Sequence, residues 1–323
     1  MSEYLLFYKE RLPLVGSIGR WDVSIAAFNS SPRVRLLAER VQARQRHWLL
    51  LPEYGYSESD CPADGSPYSA GAGSEVQFLD GFLRHAGITA GTRIVVDISG
   101  MINNYVIALL ALLRQRGIKQ CDMIYAEPER YRHSERTRFS DEVVVDVRQI
   151  GGFEGIHSID TRDDLLVLAT GYDYRLVAEV ANKKEHARKV QIFGLPSLRP
   201  DMYQESLLRM AKVAEAVGPD GSVPQHFEYA PANDPFVTAH VMARIVARHR
   251  AQHPKANVYL APLSTKPQAL GCALYFMREC VGGATSILYP MCNAYMRETS
   301  DGLSGIWRYR VELDCLSPVG AEA

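Results

Sequence analysis

The chain has 323 residues, 47% of them hydrophobic and 23% charged, which allows two ordinary domains or one large one and excludes disordered, collagen-like and fibrous classes. Thirty-six Lys and Arg against 37 Asp and Glu leave a formal charge of −1, so no overall field draws the chain to long nucleic acid or to an anionic membrane. Any basic site must be local.

The longest apolar runs, such as residues 106–113, fall far short of the ~20 residues that span a bilayer. The N-terminal stretch carries Glu3, Lys9, Glu10 and Arg11 among its apolar residues, which is wrong for a signal peptide. A cytoplasmic protein is expected. The six cysteines (Cys61, Cys121, Cys272, Cys280, Cys292, Cys315) include no CxxC pair and are read as reduced thiols, with no zinc site.

In chain order, short β-rich apolar runs alternate with segments of helical period. Strands are expected at residues 23–28, 48–51, 93–98, 122–126, 142–147, 165–169, 189–193, 226–230, 257–261, 286–289 and 306–313. Between them, Pro32 opens a helix over 33–46, a helix starts at Glu75, and Asn233, Asp234 and Pro235 cap one that ends near His253. The pattern predicts an α/β fold of two Rossmann-like pseudo-repeats with mainly parallel sheets. Residues 54–74, rich in Gly, Ser, Pro and Asp, read as a long surface loop or lid. The glycines at 151, 152 and 155 mark a boundary between a first lobe, residues 1–150, and a second, residues 151–323.

The two halves repeat one another. Residues 124–131 parallel 288–295 at an offset of 164, aligning Tyr125 with Tyr289 and Tyr131 with Tyr295; Ser140 then meets Ser304 and Val147 meets Val311. Arg35-Leu-Leu-Ala-Glu39 parallels Arg175-Leu-Val-Ala-Glu179, and Asp97-Ile-Ser99 corresponds to Pro262-Leu-Ser264 at an offset of 165. An internal duplication is expected.

In parallel sheets, ligands bind beyond the carboxyl ends of strands, where helix N-termini offer free N–H groups. The polar residues expected there are Asn29, Ser30, Ser31, Arg33 and Arg35 after the first strand, and Thr170, Tyr172, Asp173, Tyr174 and Arg175 after its counterpart. A hydroxyl followed five residues later by arginine suits phosphate. Asp97, Ser99, Asn103 and Asn104 lie at one central junction, and Ser264, Thr265 and Lys266 at the other. Glu127, Tyr131, Arg132 and His133 follow one later strand and Tyr295, Arg297 and Ser300 the other, and the two tyrosines could stack on bases. Asp97-Ile-Ser99-Gly-Met101 resembles the opening of a von Willebrand A metal site, with Met101 in place of the last hydroxyl. There is no P-loop, GxSxG, HExxH or dinucleotide GxGxxG, and the reading includes no cofactor and no metal.

A strand followed by a hydroxyl-rich turn with Arg or Lys, in a duplicated Rossmann-like unit, resembles the CARF (CRISPR-associated Rossmann-fold) sensors and the related SAVED domains, which look like two such units fused. Ser264-Thr265-Lys266 is similar to the Gly-Thr-Lys turn of many of these sensors, with serine in place of glycine. The resemblance implies a nucleotide ligand, including cyclic oligonucleotides, held through its phosphates, and a separate effector protein in antiviral defence. The ligand-binding set is then Ser30, Arg35, Asp97, Ser99, Asn103, Tyr131, Thr170, Arg175, Ser264, Thr265, Lys266 and Tyr295. Two other readings stand beside it. One is an enzyme such as a phosphodiesterase, with Asp97, Ser99, Lys266 or His133 in acid-base or transition-state roles; the other is a scaffold that binds a partner protein through residues 54–74 or an exposed helix face.

Overall fold

The computed structural model describes residues 4, 7–71, 73–131, 144–171, 173–211, 214–217, 227–297 and 300–316. The first stretch of chain runs β1 (Lys9–Leu12), β2 (Gly19–Ala27), α1 (Pro32–Arg40), β3 (Val41–Leu49), β4 (Ser66–Tyr68), α2 (Glu75–His85), β5 (Ile94–Asp97), α3 (Asn103–Gln115), β6 (Gln120–Glu127) and β7 (Arg130–Tyr131). The second runs β8 (Val144–Gln149), β9 (Leu165–Ala169), α4 (Tyr174–Lys183), β10 (Arg188–Gly194), α5 (Pro200–Ala211), α6 (Ala214–Val217), β11 (Phe227–Ala230), α7 (Pro235–Arg250), β12 (Val258–Pro262), α8 (Lys266–Glu279) and β13 (Thr285–Cys292). The last described strands are β14 (Ser300–Asp301) and β15 (Gly305–Glu312).

The fold is α/β, with two mostly parallel sheets, as the strand and helix alternation predicts. One sheet has the order β1-β15-β6-β5-β2-β3-β4, the other β11-β10-β9-β12-β13-β8. Read outward from β2 and β9, five strands repeat: β4-β3-β2-β5-β6 matches β11-β10-β9-β12-β13, and every neighbouring pair in both runs is parallel. The central strands β5 and β9 are buried along their whole length, the signature of a sheet covered on both faces.

Two compact units result, one built from Phe7–Val143 with Cys292–Cys315, the other around Val144–Met291. The division is not a simple halving near residue 150. β8 joins β13 in the second sheet, while β15 returns to pair antiparallel with β6 in the first, Val311 facing Cys121 and Gly305 facing Glu127. The strands aligned through Val147 and Val311 have each entered the other half's sheet.

The expected helix over 33–46 stops at Arg40. Val41–Leu49 instead pairs with β2 from Gly19↔Val41 to Ala27↔Leu49, and the Arg46 guanidinium donates to the Ala38 and Val41 carbonyls (2.7 and 2.9 Å), closing the helix end. Within the expected loop at 54–74, the short strand β4 adds a parallel edge to β3. Helix starts follow local chemistry. Ser74 and Gln77 form a reciprocal capping box on α2, and Asp234 accepts the N–H groups of Phe236 and Val237 ahead of Pro235 in α7. All six cysteines are free thiols. Among the described residues no helix is long and apolar enough to cross a membrane.

Candidate functional site

The parallel order reverses direction between β2 and β5 in the first unit and between β9 and β12 in the second, so each sheet has a switch point at the carboxyl ends of those strands. In both, the two loops leaving the switch point touch. A Cβ added at Gly100 would lie 2.7 Å from the Ala27 oxygen, and one added at Gly171 would lie 2.6 Å from the Leu263 oxygen. Only glycine permits that approach.

At the first switch point most polar groups are turned inward. Asn29 Oδ1 accepts the Ser31 N–H (2.9 Å), and the Tyr56 hydroxyl donates to Ser30 Oγ (2.9 Å) while accepting the Ser30 N–H (3.1 Å). Asp97 Oδ1 accepts the Ser99 N–H (2.8 Å), and Ser99 Oγ accepts the Ala126 N–H (2.8 Å), tying β5 to β6. Asp97 is 4% exposed, its Oδ2 has no hydrogen-bond partner, and burial pushes its pKa up to about 6 against the opposing hydrogen bonds and the Arg33 charge. Asn103 is buried in the first turn of α3. The Ser99 oxygen is engaged with backbone and Met101 is fully buried; among the described residues no three His, Cys, Asp or Glu side chains are grouped to hold a metal.

The arginine that enters this site is Arg33, not Arg35. Arg35 is exposed, whereas Arg33 is buried and donates to the Ala126 carbonyl (2.6 Å) and the Ser99 carbonyl (3.3 Å). The helical phase carries that signal: Arg33, Val34, Leu37 and Ala38 form the buried stripe of α1, and Arg35 points away from it.

Residues 53–56 add groups that the composition of their loop conceals. The Tyr54 hydroxyl donates to the Gly100 carbonyl (3.1 Å), and Tyr105 donates to the Glu53 carboxylate (3.1 Å), whose pKa burial raises. Arg297 donates through Nε to the Tyr54 carbonyl (2.8 Å) and lies over the Tyr56 ring at 4.3 Å. The Tyr295 N–H donates to the Glu53 carbonyl (2.8 Å). Tyr131 pairs by backbone with Ser300 in the two-stranded β7–β14 ribbon. Tyr131 and Tyr295 therefore belong to the same unit rather than to one each. Arg132, His133, Ser140 and Tyr172 lie outside the described residues.

At the second switch point the groups are more open. Ser264, Thr265 and Lys266 are half-buried at the start of α8, and Arg175 is half-buried in the first turn of α4. The Leu263 N–H donates to the Ala169 carbonyl (3.0 Å), which fixes the β12 loop beside the β9 loop. Thr265 serves as the α8 cap: its Oγ1 accepts the Gln268 N–H (3.3 Å) and donates to the Ala232 carbonyl (2.5 Å). Thr170 is buried and donates to the Ile192 carbonyl (3.3 Å). Of the predicted residues here, Arg175, Ser264, Thr265 and Lys266 are half-buried near the starts of α4 and α8, whereas Thr170 is buried.

Comparison of the chain with protein-family models, with curated proteins and with solved structures returns no match.

Proposed function

We propose that this protein is a nucleotide-binding sensor, its ligand class including cyclic oligonucleotides, acting through a separate effector. The observation that carries the reading is the second switch point. There the β9 and β12 loops, in contact at Gly171, lead directly into the starts of α4 and α8, where Arg175, Ser264 and Lys266 lie. Helix N-termini supply partial positive charge and N–H donors, a hydroxyl adds a donor, and two cations complete a setting suited to phosphate oxygens. Arg35, exposed on α1, is at most a peripheral contact in this reading.

Calorimetric titration of cyclic and linear oligonucleotides and of mononucleotides tests it. Binding by at least one of them is expected, weakened about tenfold or more by Arg175→Ala and by Lys266→Ala, the loss that follows from removing a charged hydrogen bond. Absence of binding by every nucleotide overturns the reading.

An enzyme acting on a nucleotide or phosphorylated small molecule is the second reading, favoured by Asp97 at the first unit's own switch point. A buried carboxyl with one unpartnered oxygen and a pKa of about 6 is suited to proton transfer near neutrality. Recovery of the bound nucleotide intact after prolonged incubation excludes it.

A further inference from the structure

At the end of the first sheet opposite the switch point lies a cavity of about 740 Å³, lined by residues of the first unit alone. Five cations line it, Arg20, Arg93, Lys119, Arg308 and Arg310, against the single carboxylate of Asp122. Asp122 is committed: its Oδ2 accepts the Trp21 Nε1–H (2.8 Å), and its Oδ1 lies 3.7 Å from Arg310. Arg93 pairs with Asp22 at 3.4 Å and Arg308 with Glu10. Arg20 donates only to the Gln42 amide oxygen (2.7 Å), and Lys119 makes no ion pair among the described residues. Among the described residues the buried Nε–H groups of Arg308 and Arg310 have no hydrogen-bond acceptor, the Arg310 Nε meeting Asp122 only as an ion pair at 3.7 Å. Among the described residues, positive charge here exceeds what the surrounding carboxylates neutralise.

The second unit shows what such a crevice holds. Its counterpart is filled by the chain itself: the Ile156 N–H donates to the Gly283 carbonyl (2.9 Å), and the Ser158 N–H donates to Asn257 Oδ1 (2.7 Å). Asn257 Nδ2 donates back to the Ser158 carbonyl (3.0 Å), and His157 Nε2 lies 3.0 Å from Ser286 Oγ. At the offset of 164 that aligns the later strands, Gly283 and Ser286 correspond to Lys119 and Asp122, and at the offset of 165 that aligns the central junctions, Asn257 corresponds to Thr92. All three line the cavity of the first unit. The same groove is thus occupied by an extended peptide in one repeat and, among the described residues, is unfilled and basic in the other.

We propose that the basic groove of the first unit binds an extended acidic segment of a partner protein. The repeat supplies the binding mode, a short strand-like peptide laid across the amino ends of the central strands, and the five cations supply the charge selection. The assignment is independent of nucleotide binding at the opposite end of the sheets.

Fluorescence anisotropy with a labelled peptide Gly-Ile-Glu-Ser-Glu-Asp, patterned on residues 155–160 but acidic, tests it at low ionic strength. Saturation below about 1 mM is expected, with affinity falling about fivefold or more in Lys119→Glu and in Arg20→Glu but unchanged in Lys255→Glu, a charge reversal in the other unit. Both test residues are exposed, so their replacement leaves the core intact. The proposal is overturned by lack of saturation, by equal binding of Gly-Ile-Gln-Ser-Gln-Asn, or by full affinity in both variants. Binding of inorganic tripolyphosphate without binding of the acidic peptide also overturns it, making the groove a small-anion site.

Discussion

Asp97 should make the first unit less stable as pH rises through the weakly acidic range. Its carboxyl is buried with one oxygen unpartnered, and its pKa is raised from 3.8 to about 6 by desolvation. The folded state therefore holds this proton more tightly than the unfolded state, so the group's contribution is most favourable below about pH 4. It is lost as pH climbs through about 6. At 1.36 kcal/mol per pKa unit, a shift of about two units amounts to roughly 3 kcal/mol. Asp97→Asn keeps an oxygen to accept the Ser99 N–H and removes the titration. Relative to wild type, this variant should gain about 2 to 3 kcal/mol between pH 4 and pH 8, whatever constant offset its amide introduces. All three tryptophans, Trp21, Trp48 and Trp307, lie in the same unit as Asp97, so urea unfolding followed by tryptophan fluorescence reads that unit selectively. For a unit of about 160 residues the gain also equals a rise of roughly 5 to 10 °C in Tm. A stability difference between variant and wild type that is flat from pH 4 to pH 8 refutes the reasoning.

Arg33→Met should destabilise the same unit by about 1.5 to 3 kcal/mol in the fluorescence assay, because it strips charged donors from the Ala126 and Ser99 carbonyls, whereas Arg35→Met should stay within about 0.5 kcal/mol. Gly171→Ala should cost about 1 to 3 kcal/mol by forcing the β9 and β12 loops apart, and native-state hydrogen exchange should quicken at the Leu263 N–H that bridges them. A chain of residues 7–131 joined to 300–316 through an Asn-Gly turn should fold, since Tyr131 and Ser300 already face each other across an antiparallel pair; residues 1–150 alone should aggregate, and sedimentation of the two refolded chains separates these outcomes.

Where the structure departs from the sequence reading, non-local contacts decide. Leu165–Ala169 is legible because five consecutive apolar residues admit little but a buried strand, and its bounds agree to the residue. Val41–Leu49 is not, because Gln, Ala and Arg favour helix locally and only pairing with β2 makes the segment a strand. In the candidate site, a hydroxyl and an arginine at fixed spacing single out Ser30 and Arg35, but the arginine buried at that turn is Arg33. Helical phase distinguishes Arg33 from Arg35, and spacing does not. Glu53, Tyr54 and Tyr56 escape notice because a Gly, Ser and Pro background reads as loop, although Tyr54 and Tyr56 are bonded to the glycine and serine of the switch point. At Thr170 and Thr265 the residue type is as expected for phosphate binding, but nearby carbonyls take both hydroxyl protons.

The exchange of β8 and β15 shows the same limit at the scale of the whole fold. Sequence likeness at an offset of 164 identifies the two strands as equivalents, yet likeness carries no information about which sheet each one joins. That choice depends on partners more than a hundred residues away: β15 faces β6 across a gap from Cys121 to Val311. β6 is buried along nearly its whole length, so until residues 305–312 are available it presents a long apolar edge with unsatisfied backbone groups. Completion of the first sheet therefore waits for nearly the entire chain, which raises contact order and slows folding. Neither half of the sequence should fold by itself, however clearly the halves repeat, because each sheet takes in a strand that the other half supplies.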